Sequence, residues 1–123
     1  MKQPDTYRVV YVEPGKPACV REIGSDLKSL QEAVAGGPIE CVYAHRDNTL
    51  IVCNDEGKLI GLEGNRRLGS DIIAGVFYIM SEGEDGDLVS LSEEKIQHYT
   101  QWFWEPEAFD SAEVEPSVHV WFF

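Results

Sequence analysis

The chain has 123 residues, of which 43% are apolar and 26% charged, the proportions of a single globular domain. Its longest apolar stretch, Ile72 to Met80, falls well short of the ~20 residues that a membrane-spanning helix needs, and Met1 to Thr6 lacks the apolar core of an export signal. Ten Lys+Arg against 22 Asp+Glu give a net charge of −12, which disfavours direct nucleic-acid binding because affinity for phosphates comes largely from bases. A cytoplasmic protein is therefore expected.

Tyr7 to Glu13 and Cys19 to Ile23 are β-branched and aromatic runs joined by Pro14-Gly15-Lys16-Pro17, so they predict a hairpin. Ser25 is placed to cap a helix reaching about Ala35, with Leu27, Leu30 and Val34 as its apolar stripe. Gly36-Gly37-Pro38 ends it. Ile39 to His45, Thr49 to Cys53 and Lys58 to Leu62 read as three strands, with Asn54-Asp55-Glu56-Gly57 as a type I turn carrying a left-handed Gly57. Leu62 to Ser70 reads as a loop. Ile72 to Met80 reads as one central strand covered on both faces.

Glu82 to Asp87 is an acidic loop, and Ser92 opens a second helix to about Trp104, with Glu93 and Glu94 in its first turn. Ile96, Tyr99 and Phe103 form its expected buried stripe, and Pro106 ends it. Val118 to Phe123 is apolar enough for a last strand. The sum is an α+β fold, a mostly antiparallel β-sheet with two α-helices. Residues 1–104 form the single domain, and 105–123 an acidic linker and aromatic tail that can pack on it.

From Val10 to Phe109 the chain resembles a known family, domain of unknown function 3846. The matching strings are Val12-Glu13-Pro14-Gly15-Lys16, Leu27-Lys28-Ser29-Leu30-Gln31, Gly37-Pro38-Ile39-Glu40 and Cys53-Asn54-Asp55-Glu56-Gly57-Lys58-Leu59. Gly61-Leu62, Asn65-Arg66, Asp71-Ile72-Ile73-Ala74-Gly75, Leu91-Ser92 and Tyr99-Thr100 continue the order. The chain departs from that pattern in the short loop between Arg67 and Asp71 and in the aromatic tail beyond Asp110. The resemblance implies a small acidic cytoplasmic protein of gut Firmicutes, their phages or conjugative elements. It implies no activity.

Catalytic signatures are missing from the sequence. There is no Gly-x-Ser-x-Gly elbow and no phosphate-binding glycine loop, and the Ser81 to Ser92 stretch lacks the ligands of a calcium loop. No cofactor is expected. Cys19, Cys41 and Cys53 have no Cys-x-x-Cys pairing and read as buried structural thiols. Cys41 and Cys53 would share a face only with a three-residue turn at Arg46 to Asn48; a two-residue turn would put them on opposite faces. No metal site is expected.

Two segments remain as candidate sites. Asn54, Lys58, Asn65, Arg66 and Asp71 are candidates for binding a small anion or a nucleotide-like ligand, or for an enzyme's pocket; the bland alternative is a turn at Gly57, arginines paired with nearby carboxylates and Asp71 opening a strand, all solvated loop charges. The second segment is the C-terminal third. Residues 82–115 hold 11 acids and one base, Lys95, and eight of the 13 aromatics lie from Tyr99 onward. Trp102, Phe103 and Trp104 point about 100° apart on a helix, so at least one faces outward. Trp102, Trp104, Glu105, Glu107, Asp110 and Trp121 are the candidate contacts for an unidentified protein partner with a basic surface. A homodimer through the tail is a further possibility, and a merely solvated acidic surface is the plain alternative.

Overall fold

The computed structural model describes residues 4–44, 47–110 and 112–114. The expected first hairpin is present: β1 (Thr6–Val12) pairs antiparallel with β2 (Cys19–Gly24). Helix α1 (Leu27–Glu32) follows, capped by Asp26 rather than Ser25. The Asp26 carboxylate accepts from the Ser29 N–H, while the Ser25 hydroxyl donates to the Pro4 carbonyl. Leu30 and Val34 are buried as the stripe predicts, but Leu27, the first residue of this short helix, is 61% exposed.

β3 (Ile39–Tyr43) and β4 (Thr49–Asn54) form the second hairpin. The expected strand at Lys58 to Leu62 is instead a series of turns, in which the Ile60 N–H donates to Glu56 and the Leu62 N–H to Gly57. Gly57 closes its turn on Asn54 without a left-handed backbone. The expected loop after it holds a strand, β5 (Gly64–Leu68), paired with β6 (Asp71–Ala74) in a separate two-stranded sheet.

The apolar run from Ile72 is thus two strands in two sheets. Gly75, at φ +84, breaks it, and β7 (Phe77–Glu82) begins in the main sheet. A side chain at Gly75 would also meet Leu62 Cδ1 at 2.6 Å. Both strands are buried, so the sequence is continuously apolar across a break that periodicity does not register.

The main sheet is antiparallel, in the order β2-β1-β7-β4-β3, with the short β8 (Leu88–Val89) pairing β7. It is the middle layer of the molecule. Val9, Val52, Tyr78 and Met80 face α1 through Leu30 and Val34. Val10, Val12, Ile51, Phe77 and Ile79 face helix α2 (Glu93–Trp102), through Ile96, Tyr99 and Phe103, and the second sheet, through Ile73. Alternation along each strand serves the two faces, as the pleat requires. Ser92 caps α2 as expected, its hydroxyl accepting from the Lys95 N–H. The fold is α+β. The last-strand expectation for Val118 to Phe123 lies outside the described residues.

Candidate functional site

The five residues expected to bind a small ligand are divided between two places. Asn65 and Arg66 lie in the interior, Arg66 being 1% exposed. The Arg66 guanidinium reaches three carbonyls that are distant from one another in the chain. Nε and Nη2 donate to Phe103 O at 3.2 and 2.9 Å, and Nη2 donates to Lys16 O at 2.6 Å. Nη1 donates to the backbone and side-chain oxygens of Asn65 at 3.2 and 2.8 Å. Those five bonds use all five guanidinium N–H groups. Asn65 Nδ2 in turn donates to Val12 O and Gly75 O.

Burial lowers the Arg66 pKa, and Glu107 nearby pulls it back up. Phe103 is the C-cap of α2, a helix with no base in its own last turn. Arg66 therefore supplies from the second sheet the positive charge that the negative end of the helix favours. The arginine ties α2, the β1–β2 turn and the second sheet together, and its donors are filled by protein.

Asn54, Lys58 and Asp71 do come together, around a cleft of about 390 Å3 between the β3–β4 hairpin, the 55–61 turns and β6. Asn54 is already committed. Its Nδ2 donates to Val34 O and Gly36 O at 2.8 and 2.7 Å, and its Oδ1 accepts from the Glu56 N–H at 2.8 Å. Lys58 is ion-paired with Asp71. Glu40, Asp55 and Asp71 line the cleft against Lys58 as its one base, so its lining is net negative. Glu40 and Cys53 were not legible as cleft residues, because the pairing that sets them opposite each other belongs to the hairpin register.

That register also answers the thiol question. Ala44 N–H bonds Thr49 O, which leaves a four-residue turn, so Cys41 pairs with Val52 and Cys53 with Glu40 on opposite faces. Cys53 is buried, its thiol pushed up to about 12 chiefly by desolvation. Cys41 is exposed and Cys19 half-buried, contrary to the expectation of three buried thiols. Cys41 sits on β3, which among the described residues has a strand neighbour on one side only.

In the C-terminal third, Phe103 is buried while Trp102 and Trp104 are 45% and 50% exposed. The two tryptophans lie on different flanks of α2. Trp102 contacts the rings of His98, Tyr99 and Phe103. Trp104 lines an open groove of about 530 Å3 together with Val20 of β2 and Ile96, Gln97, Thr100 and Gln101 of α2. The spacing of Gln97, Gln101 and Trp104 was visible in the sequence as one helix flank, which Glu94 extends; the part played by β2 was not.

Glu105 follows Trp104, is exposed and has no ion-pair partner among the described residues. Glu107 accepts from the Arg67 N–H, and Asp110 and Glu113 are joined reciprocally, the backbone N–H of each donating to the other's carboxylate. Phe109 and Val114 pack over Gly64, where an added Cβ would meet Val114 Cγ2 at 2.8 Å. The segment after α2 thus lies on the second sheet as far as Val114. Trp121 lies outside the described residues.

Among the described residues no helix is long and apolar enough to cross a membrane. Comparison with curated proteins gives no match, and neither does comparison with solved structures. A family model matches residues 7–104, which span β1 to the end of α2 and contain the Arg66 clamp, the cleft and the groove. The chain therefore belongs to the family described as Domain of unknown function (DUF3846).

Proposed function

We propose that this is a non-enzymatic interaction protein acting in the cytoplasm, in a phage or conjugative-element setting, and that it docks a protein partner with a basic surface. The observation that carries the reading is the outer flank of α2. Glu94, Gln97, Gln101 and Trp104 share it, Glu105 continues it, and the helix's single base, Lys95, is turned elsewhere to donate to Asp47 O. A half-exposed tryptophan beside carboxylates that have no ion-pair partner among the described residues offers an aromatic anchor with an acidic rim. A DNA-binding or restriction protein is the partner class that such carboxylates would suit, standing where phosphates otherwise bind. The anion or nucleotide-like reading has weaker support, since Arg66 is filled and the one cleft lysine is already paired.

The test is capture from host cytosol by the native chain and by a Glu94→Gln/Trp104→Ala/Glu105→Gln variant, beside a thermal-shift panel of nucleotides and small anions. The reading predicts a basic protein held by the first and lost by the second, with Tm unmoved by the panel. Equal capture by both, or a nucleotide that raises Tm by ~3 °C or more, contradicts it.

A further inference from the structure

We propose that β2 is the docking edge itself, and that it takes on an added strand from an extended basic segment of the partner, whose alternate side chains enter the groove beside α2. This rests on the interaction reading above and specifies how the surface binds.

Among the described residues β2 ends the main sheet, with β1 as its strand partner. The Ser25 N–H bond to Asp5 O sets the alternation of the ladder, so Cys19, Arg21 and Ile23 turn their backbone groups toward β1. Val20 and Glu22 then turn theirs outward, where no described residue pairs them. Strand edges are commonly blocked by an outward charge, but Arg21 is folded back: its guanidinium lies 4.2 Å from the Tyr11 ring centre and bonds Glu13.

The outward edge runs beside a shaped surface. Val20 shares the face of Val10, the face on which α2 packs, and the groove between β2 and α2 is walled by Val20 at 40% and Trp104 at 50% exposure. A strand added to β2 lies about 4.8 Å away, and every second side chain projects onto the α2 side.

Charge selects the occupant. The groove lining contains no ionised side chain, so it suits apolar or small polar residues. Glu22, on the same face as Val20, and Glu94 and Glu105 at the two ends of the α2 flank have no ion-pair partner among the described residues, whereas Glu93 is neutralised by Arg8. Residues 82–115 carry a large excess of acid. The complementary segment carries apolar residues over the groove and lysine or arginine at the same-face positions beyond its two ends, beside Glu22, Glu94 and Glu105. Backbone bonds would supply affinity and the groove selectivity, as in other strand-addition sites.

The experiment uses the full chain and a capped Lys-Thr-Val-Thr-Val-Thr-Lys peptide, whose valines and lysines share one face, followed by calorimetry and tryptophan emission. Two further peptides carry backbone N-methyl groups on the valines or on the threonines, since only one of the two alternating sets faces β2 in a given strand direction. The expected result is that the plain peptide binds, that one methylated form binds at least about tenfold more weakly while the other is little changed, and that Trp104→Ala weakens binding about tenfold. Equal binding of all three peptides overturns strand addition and leaves a charge-driven docking surface in place. No binding by any of them, with no salt-sensitive binding of a helical Ala/Lys peptide either, overturns the basic-partner reading as well.

Discussion

Arg66→Ala is expected to destabilise the chain by about 3–5 kcal/mol, the usual scale for breaking a buried charge-assisted network. Five hydrogen bonds disappear together, and Phe103 O, Lys16 O and the Asn65 carboxamide lose their partner within the interior. The helix C-terminus also loses the cation that offsets its dipole. Arg66→Lys should recover only a minor part, because an ammonium has three donors and no planar fork to span Phe103 and Lys16 at once. Urea unfolding measures it directly, as a lower midpoint with an unchanged slope. A loss below ~1 kcal/mol for the alanine variant would show that the guanidinium does not hold these elements together.

Asn54→Ala should cost about 2–4 kcal/mol by the same logic on a smaller scale. Its carboxamide gives both N–H groups to the end of the α1 segment, at Val34 and Gly36, and takes the Glu56 N–H that starts the next turn. Removing it strands two carbonyls and an N–H at the point where α1, β4 and the 55–61 turns meet. The unfolding midpoint should fall while partner affinity, measured well below that midpoint, stays the same. A large loss of affinity with stability intact would restore Asn54 to a binding role. Together the two variants separate holding the fold from holding a ligand.

The parts of the fold that were legible in the sequence are those whose signals are local. Pro14-Gly15 between two β-branched runs, Ser92 before Glu93 and Glu94, and Ile96, Tyr99 and Phe103 at helical spacing each name an element from a few adjacent residues. Leu27 shows the limit of that method, since it fits the α1 stripe and remains exposed. β5 shows it more sharply. Gly64-Asn65-Arg66-Arg67 has the composition of a loop, and becomes a strand because Asn65 and Arg66 find carbonyls 37 to 53 residues away. No window of the sequence contains Val12, Lys16 and Phe103 together.

The candidate sites follow the same division. Exposed polar residues and buried structural ones have the same letters, so Arg66 reads as a ligand contact by its chemistry, whereas its donors are filled by protein. The divergence of Trp102, Phe103 and Trp104, in contrast, follows from helix geometry alone, and the structure bears it out with one ring inside and two outside. The groove beside Trp104 needed β2, some 80 residues earlier in the chain, and so was not legible.

The association rate of a captured basic partner, measured against salt, tests the interaction account most directly. Carboxylates that steer a partner act over the Debye length, which shortens roughly threefold between about 50 mM and about 500 mM salt. The account predicts a steep fall in the on-rate across that range, and a slower on-rate at low salt when Glu22, Glu94 and Glu105 are changed to Gln, with the unfolding midpoint unchanged. An on-rate that is flat across the range and identical in the variant would contradict it, leaving these acids as a solvated surface that docks nothing.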